Sequence, residues 1–408
     1  MNNYKYDALA FLSKDSEKAN IKLGINTIKK ALNELGNPCK DTPAIQIIGT
    51  NGKGSIASFI EKILFFSNID LGVTTSPHLF DITERIRINS EKIDKKELKS
   101  IVRSTRNRLK DYALTPFELI LCCAMQFFDS NKVELLILEA GLGGRLDATT
   151  AHDSRKIIAI GKIGLDHKEY LGQTIEEITK EKVAVIEKNA YVVSCNQCRK
   201  VEQLINDKVR QVGATITWTE PLDDKWDIGL GGFFQKENGS VAVEVASILI
   251  QNGWDISKDH IKKGIAEAKW PGRLETINWK NNKLLVDSAH NPSAAEVLAK
   301  ERNNWRNEEN GIYWIIGVQK KKEIRRIIKT IAKPKDTILL VPVPHQSSWK
   351  LKDIEDLDSN EINIIEFNHF LSALEYIDSL REWPDCNPVL TGSIFLVAEF
   401  LKHVQGIK

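Results

Sequence analysis

Short apolar runs alternate with amphipathic stretches along most of the chain. Ala44-Ile45-Gln46-Ile47-Ile48 has the length and character of a buried strand, and just after it Ile56, Phe59, Ile60, Ile63 and Leu64 share one helical face. Residues 133–138, ending at Glu139, and residues 156–160, leading to Asp166-His167, predict two more buried strands. Between residues 173 and 186 the helical apolar face is Ile175, Ile178, Val185 and Ile186. Helices over 247–251 and 257–268 close this first block. A second block alternates strands at 284–287, 312–317, 337–342, 362–367 and 388–391 with helices, such as 323–332 with Ile324, Ile327, Ile328 and Ile331 on one side. Such alternation implies an α/β fold with a mostly parallel sheet covered on both faces. Both periodicities fail at Lys269-Trp270-Pro271-Gly272-Arg273, where a linker is expected between domains 1–268 and 274–408.

Bulk properties narrow the function classes. A hydrophobic content of 42% with 27% charged residues is that of an ordinary soluble globular protein, so core size is not limiting in a chain of 408 residues. A net charge of +2, and no Lys/Arg stripe interleaved with aromatics, argue against a nucleic-acid partner. Lys320-Lys321-Lys322 reads as a solvated helix start. The N-terminal residues Met1 to Asp7 lack the apolar core of a signal peptide, and no apolar stretch is long enough to span a bilayer. The six cysteines form no disulfide framework; Cys195-Asn196-Gln197-Cys198 stands without a second pair and reads as plain thiols. The expected setting is the cytoplasm, with no membrane partner.

Candidate chemistry begins at Gly49-Thr50-Asn51-Gly52-Lys53-Gly54-Ser55, between the first strand and its helix. Glycines let backbone N–H groups turn toward an anion, the helix N-terminus adds partial positive charge, Lys53 can neutralise phosphate oxygens, and Ser55 can ligate Mg²⁺. The spacing is shorter than the standard P-loop, and a purely structural glycine turn is the alternative. Glu139 ends a strand and precedes Ala140-Gly141-Leu142-Gly143-Gly144-Arg145-Leu146-Asp147; beside a phosphate loop its carboxylate suits Mg²⁺. His167 is a candidate ligand at the same sheet edge. Lys182 falls on the apolar face of its helix, where burial lowers an amine's pKa and CO₂ can convert it to a carbamate; a snorkelling lysine is the alternative. In Asp287-Ser288-Ala289-His290-Asn291-Pro292, Asn291 suits an N-cap and Pro292 the first helical position, leaving Asp287, Ser288 and His290 at a strand end where ligands bind. Thr391-Gly392-Ser393 forms a similar turn.

Taken together, GTNGKGS (49–55), TSPHL (75–79), ERIRIN (84–89), TPFE (115–118), LEAGLGGRLDAT (138–149), LDH (165–167), LGQT and EKVAVI (171–174, 181–186), WPGRLE (270–275), DSAHNP (287–292) and TGS (391–393) make the chain resemble folylpolyglutamate synthase/dihydrofolate synthase, in the Mur ligase superfamily. The resemblance implies an N-terminal P-loop ATPase domain and a smaller Rossmann-like C-terminal domain that together ligate L-glutamate to a pterin-linked carboxylate, dihydropteroate or a reduced folate, through an acyl phosphate. It implies Thr50, Asn51, Gly52, Lys53, Gly54, Ser55, Asn238, Arg273 and Asp287 as ATP contacts. Ser55, Ser76, Glu139 and His167 are implied for two Mg²⁺ ions, with Lys182 as a carbamate. Phe117, Arg145 and Asp147 are implied at the pterin, and His290 near nucleotide and glutamate. A monomer and room for a monovalent cation are implied as well. Asp147 equally suits the cap of the turn that follows it.

Overall fold

The computed structural model describes Leu9, Leu12, 24–357 and 362–406. The Met1–Asp7 reading therefore falls outside the described residues. The chain forms two compact units: residues 1–229 with 235–269, and residues 230–234 with 270–408.

The larger unit is built on an eight-stranded sheet of β1 (Ala44–Ile48), β2 (Leu71–Thr74), β3 (Ile86–Ile88), β4 (Glu91–Lys92), β5 (Leu135–Glu139), β6 (Arg155–Ile160), β7 (Tyr191–Cys195) and β8 (Thr215–Thr219). Their order is β4-β3-β2-β5-β1-β6-β7-β8. From β2 across to β8 all neighbours are parallel; β3 and β4 add an antiparallel ribbon at one edge. β1 is buried along its whole length, as its near-continuous apolar run demands. Helix Lys53–Phe66 follows β1 and is covered on nearly every side, with Gly54 through Ile60 all buried. Helix Lys258–Glu267 crosses it so closely that a Cβ on Gly264 would lie 2.6 Å from the Ile63 backbone. One apolar core joins helices Asn26–Glu34, Lys95–Arg108 and Pro116–Ser130; another joins β6 and β7 to helices Ile175–Val183 and Arg199–Val212.

Parallel strands leave all their C-terminal ends on one edge. The segments 49–52, 75–79, 140–147 and 161–167, which follow β1, β2, β5 and β6, therefore emerge together.

The smaller unit holds a six-stranded sheet of β9 (Glu275–Trp279), β10 (Asn282–Val286), β11 (Tyr313–Ile316), β12 (Thr337–Leu340), β13 (Asn363–Glu366) and β14 (Val389–Thr391), ordered β13-β12-β11-β14-β10-β9. Only the β9–β10 hairpin is antiparallel. The fully buried Asp336 accepts from Arg302 Nη1 and Nη2, Trp314 Nε1, and the N–H groups of Ile312 and Lys333. An ion pair taken out of water needs this many partners.

Local differences from the sequence reading have physical causes. The 173–186 helix ends at Val183; Val185 and Ile186 stay buried in the following turn, which is why the apolar period appears to continue. Residues 247–251 are the last part of a longer helix, Gln235–Gln251. Lys320 to Lys322 form a turn ahead of helix Ile324–Ile331. The six cysteines are free thiols, and only Cys198 is exposed. Among the described residues no helix is long and apolar enough to cross a membrane.

Candidate active site

Gly52 occupies the left-handed region at φ 85° and serves as N-cap of helix Lys53–Phe66. A Cβ there would also come within 2.4 Å of Asn238 Oδ1, so the position requires glycine twice over. The first intrahelical bond runs from the Ile56 N–H to Gly52 O, so the N–H groups of Lys53, Gly54 and Ser55 precede the helical ladder. The loop is stitched to the segment after β6: the Thr50 and Asn51 N–H groups donate to Lys162 O, and Thr50 Oγ1 donates to Gly164 O at 2.9 Å. Ser55 is buried, and its Oγ accepts from Gln235 Nε2, whose Oε1 in turn accepts from Asn238.

Two lysines meet on one carbonyl. Lys182 Nζ donates to Gly49 O at 2.9 Å, and Lys53 Nζ lies 3.3 Å from the same oxygen and 3.4 Å from Thr50 O. Lys182 is buried rather than snorkelling. Burial first, and then the neighbouring Lys53 charge, push its ammonium down to about 7.

Glu139 ends β5, and the β1–β5 register sets it opposite Ile47, one strand from the glycine-rich loop 49–55. The Ser76 N–H donates to Glu139 Oε2 at 2.9 Å and so ties the segment after β2 to this carboxylate. His167 takes a left-handed conformation at the start of a short helix, with Nε2 3.8 Å from Asp166 Oδ2. Among the described residues no three His, Cys, Asp or Glu side chains form a ready-made metal centre.

The glycine segment after Glu139 is clamped from two sides. The Phe117 ring would lie 3.0 Å from a Cβ on Gly141. A Cβ on Gly144 would strike Lys182 O at 2.4 Å, so the segment and the lysine helix touch backbone to backbone. Arg145 reinforces this, its N–H donating to Glu181 O and its Nε to Glu181 Oε2. Asp147 is buried, and its carboxylate accepts from the Leu142 N–H, the Thr149 N–H and Thr149 Oγ1. It is the cap of the turn Ala148–Ala151. Burial raises its pKa above the usual carboxylate range, against the pull of those donors.

Sequence reasoning missed what holds this segment. Gln46, a lone polar residue inside β1, donates to Thr149 Oγ1 and Thr150 Oγ1 at 2.9 Å and accepts from Arg155 Nη1. Arg155 also donates to Val185 O, just past the Lys182 helix. A polar side chain within an apolar strand was the available signal; its partners lie about a hundred residues away.

In the smaller unit, Asp287 ends the β10 segment and accepts from the N–H groups of Leu274 and Ala289. Burial raises its pKa, and Arg273 pulls the other way. Arg273 Nη1 donates to Ser288 Oγ. His290 Nδ1 donates to Ser288 O at 2.8 Å. Asn291 and Pro292 start helix Pro292–Arg302.

A glycine-rich turn and helix N-terminus stand at the C-terminal edge of a mostly parallel sheet, in a chain that carries a second α/β unit. Residues 272–403 match the family model for the dihydrofolate synthetase C-terminal domain. The chain is 30% identical to the probable dihydrofolate synthetase of Schizosaccharomyces pombe over 94% of this chain and 99% of that protein. It is 27% identical to the dihydrofolate synthase/folylpolyglutamate synthase of Bacillus subtilis over 95% and 96%. The crystal structures of Mycobacterium tuberculosis folylpolyglutamate synthase complexed with ADP and AMPPCP share its fold, with a TM-score of 0.85, 22% identity, and coverage of 98% of this chain and 99% of that one. The chain belongs to the dihydrofolate synthetase/folylpolyglutamate synthase family.

Proposed function

We propose that the chain ligates L-glutamate to a pterin-linked carboxylate at the expense of ATP, releasing ADP and phosphate. The acceptor carboxylate attacks the γ-phosphorus and the bond to ADP breaks. The glutamate amine then attacks the acyl phosphate carbonyl and expels phosphate. The observation that carries this reading is Lys182, buried and 2.9 Å from the Gly49 carbonyl of the phosphate loop. A nucleotide switch has no use for a buried lysine there, whereas a ligase can use its carbamate. The amine adds to the carbon of CO₂ and sheds a proton; burial and Lys53 disfavour the ammonium, and Lys53 then faces an anion.

In this reading Lys53 and the loop N–H groups from Thr50 to Ser55 hold the triphosphate, with Asn238 behind them. Arg273 and Asp287 of the smaller unit serve the nucleotide, and His290 the nucleotide and incoming glutamate. Phe117, Arg145 and Asp147 serve the pterin, Asp147 by shaping its loop. Ser55, Glu139, Ser76 and His167 are the metal candidates. The Ser55 hydroxyl and Glu139 carboxylate are hard oxygen donors too few to cage an ion alone, which fits Mg²⁺ sharing its ligands with phosphates. When bound, the metal offsets charge on the transferred phosphoryl group.

A narrower reading, a dihydrofolate synthase alone, has the names of the matching family model and the Schizosaccharomyces pombe relative behind it, but the Bacillus subtilis relative is named for both activities. A panel of dihydropteroate, tetrahydrofolate and a UDP-muramyl peptide, scored by phosphate release, tests the proposal. Release should require both glutamate and a pterin acceptor. ATP turnover indifferent to both would overturn it.

A further inference from the structure

Arg85 and Arg87 lie two residues apart, and the structure uses them differently. Arg87 in β3 is spent within the protein. Its Nε and Nη2 grip the Glu61 carboxylate at 2.7–3.2 Å, and its Nη1 donates to Thr75 Oγ1 and Glu84 O. Arg85 ends the turn Ile82–Arg85, and only its Nε is engaged, donating to His78 Nδ1 at 3.0 Å. Neither Nη1 nor Nη2 has a hydrogen-bond partner among the described residues. The neighbouring Glu84 carboxylate is turned instead to the N–H groups of Leu79, Phe80 and Asp81. The buried side-chain nitrogens without partners among the described residues are those of Trp279 and Trp383, so the outer edge of Arg85 opens to solvent.

The register places that edge. Arg85 O accepts from the Thr75 N–H, Ile86 pairs with Thr74, and Thr74 pairs with Leu138, the residue before Glu139. Arg85 leads into β3, and the order β3-β2-β5-β1 sets it about 14 Å, three strand spacings, from the phosphate loop, with Glu139 between them. In-line phosphoryl transfer puts the attacking oxygen opposite the departing ADP. The phosphate loop marks the ADP side, and Arg85 lies beyond the Glu139 carboxylate on the other.

We propose that Arg85 binds the reacting oxyanion of the acceptor: its carboxylate before phosphoryl transfer and its acyl phosphate after. A guanidinium held at Nε by His78 presents its two outer N–H groups in the fork that such an oxyanion matches. Burial lowers the guanidinium pKa to about 10, with Glu139 opposing, so it is charged at neutral pH. Arg85 makes and breaks no covalent bond; it aligns the nucleophile and offsets its charge. This rests on the ligase reading above.

The test compares binding of dihydropteroate with that of its uncharged carboxamide, in the wild-type chain and in Arg85→Gln and Arg85→Lys, with thermal melting and ADP binding followed in parallel. Arg85→Gln should weaken dihydropteroate on the order of ten- to a hundredfold, the scale of a lost charge-assisted pair. It should leave the carboxamide and ADP unchanged, and Arg85→Lys should recover only part of the loss. Equal losses for acid and carboxamide, or no loss for either, would overturn the proposal while the ligase reading stands. A loss confined to AMPPCP relative to ADP would also overturn it, by giving the arginine to the γ-phosphate. A wild-type chain that binds neither dihydropteroate nor tetrahydrofolate would overturn the ligase reading and this proposal together.

Discussion

At the scale of single residues, the Gly49 carbonyl draws two ammonium groups together, and the cost falls on Lys182. Its proton affinity drops from 10.5 to about 7 on folding. Between those values the unfolded chain holds a proton that the folded chain lacks, so stability climbs with pH across the window. Below pH 7 both states are protonated and the full penalty is present. The slope is at most one proton, about 1.4 kcal/mol per pH unit. Urea melts at pH 7, 8 and 9 in CO₂-free buffer should show this rise, and Lys182→Met should flatten it; equal slopes would refute the assignment. Lys53→Ala should fold normally and lose at least about two orders of magnitude in turnover, as when a key electrostatic donor is removed; near-normal turnover would exclude the role. Lys182 was legible because a helix's period tells which side of it is buried. Arg85 was not, because its value depends on His78 and Glu139, which only the paired strands bring near.

At the scale of elements, legibility followed burial on both faces. β1, β5 and β6 stand out as continuous apolar runs, whereas β2 contains Gly72, β3 and β4 are very short, and β8 is a half-exposed edge strand rich in threonine. The glycine segment after β5 was legible as a site but not as a structure. Its shape comes from Asp147, whose three donors all lie within five residues of it, and from Gln46 beneath. Asp147→Ala should therefore cost about 1–3 kcal/mol, the sum of a lost cap and unpaired buried donors, and lower the melting temperature. Asp147→Asn keeps the acceptor toward Thr149 and should cost less. An unchanged melting temperature, together with dihydropteroate ligation falling more than tetrahydrofolate extension, would instead give Asp147 a direct contact with the pterin.

At the scale of the whole molecule, the chain leaves the larger unit briefly at Leu230–Phe234 and for good at Trp270. The break in periodicity at Pro271-Gly272 is visible in the sequence; Leu230–Phe234 carries no such sign, because its membership rests on tertiary contacts such as the Phe234 N–H donating to Glu301. Global likeness is equally silent on the acceptor. Relatives named as a dihydrofolate synthetase, a folylpolyglutamate synthase and a bifunctional enzyme each match more than nine-tenths of the chain, at 27–30% identity. The choice must then be local, and the proposed pterin contacts place it in the segment from Gly141 to Asp147. Arg145 and Asp147 follow its glycines, and the segment is locked to the Lys182 helix. A pterin presents donors that a buried, polar loop can match, whereas the glutamate tail of a reduced folate adds an anchor without changing the reacting carboxylate chemistry. Both acceptors should therefore be ligated. Purified protein incubated with ATP, L-glutamate and either dihydropteroate or tetrahydrofolate should give products heavier by one glutamyl residue in both cases, with dihydropteroate the more sensitive to changes in the 141–147 segment. Product from dihydropteroate alone would make the chain a dihydrofolate synthase only, and product from tetrahydrofolate alone would place the specificity outside that segment.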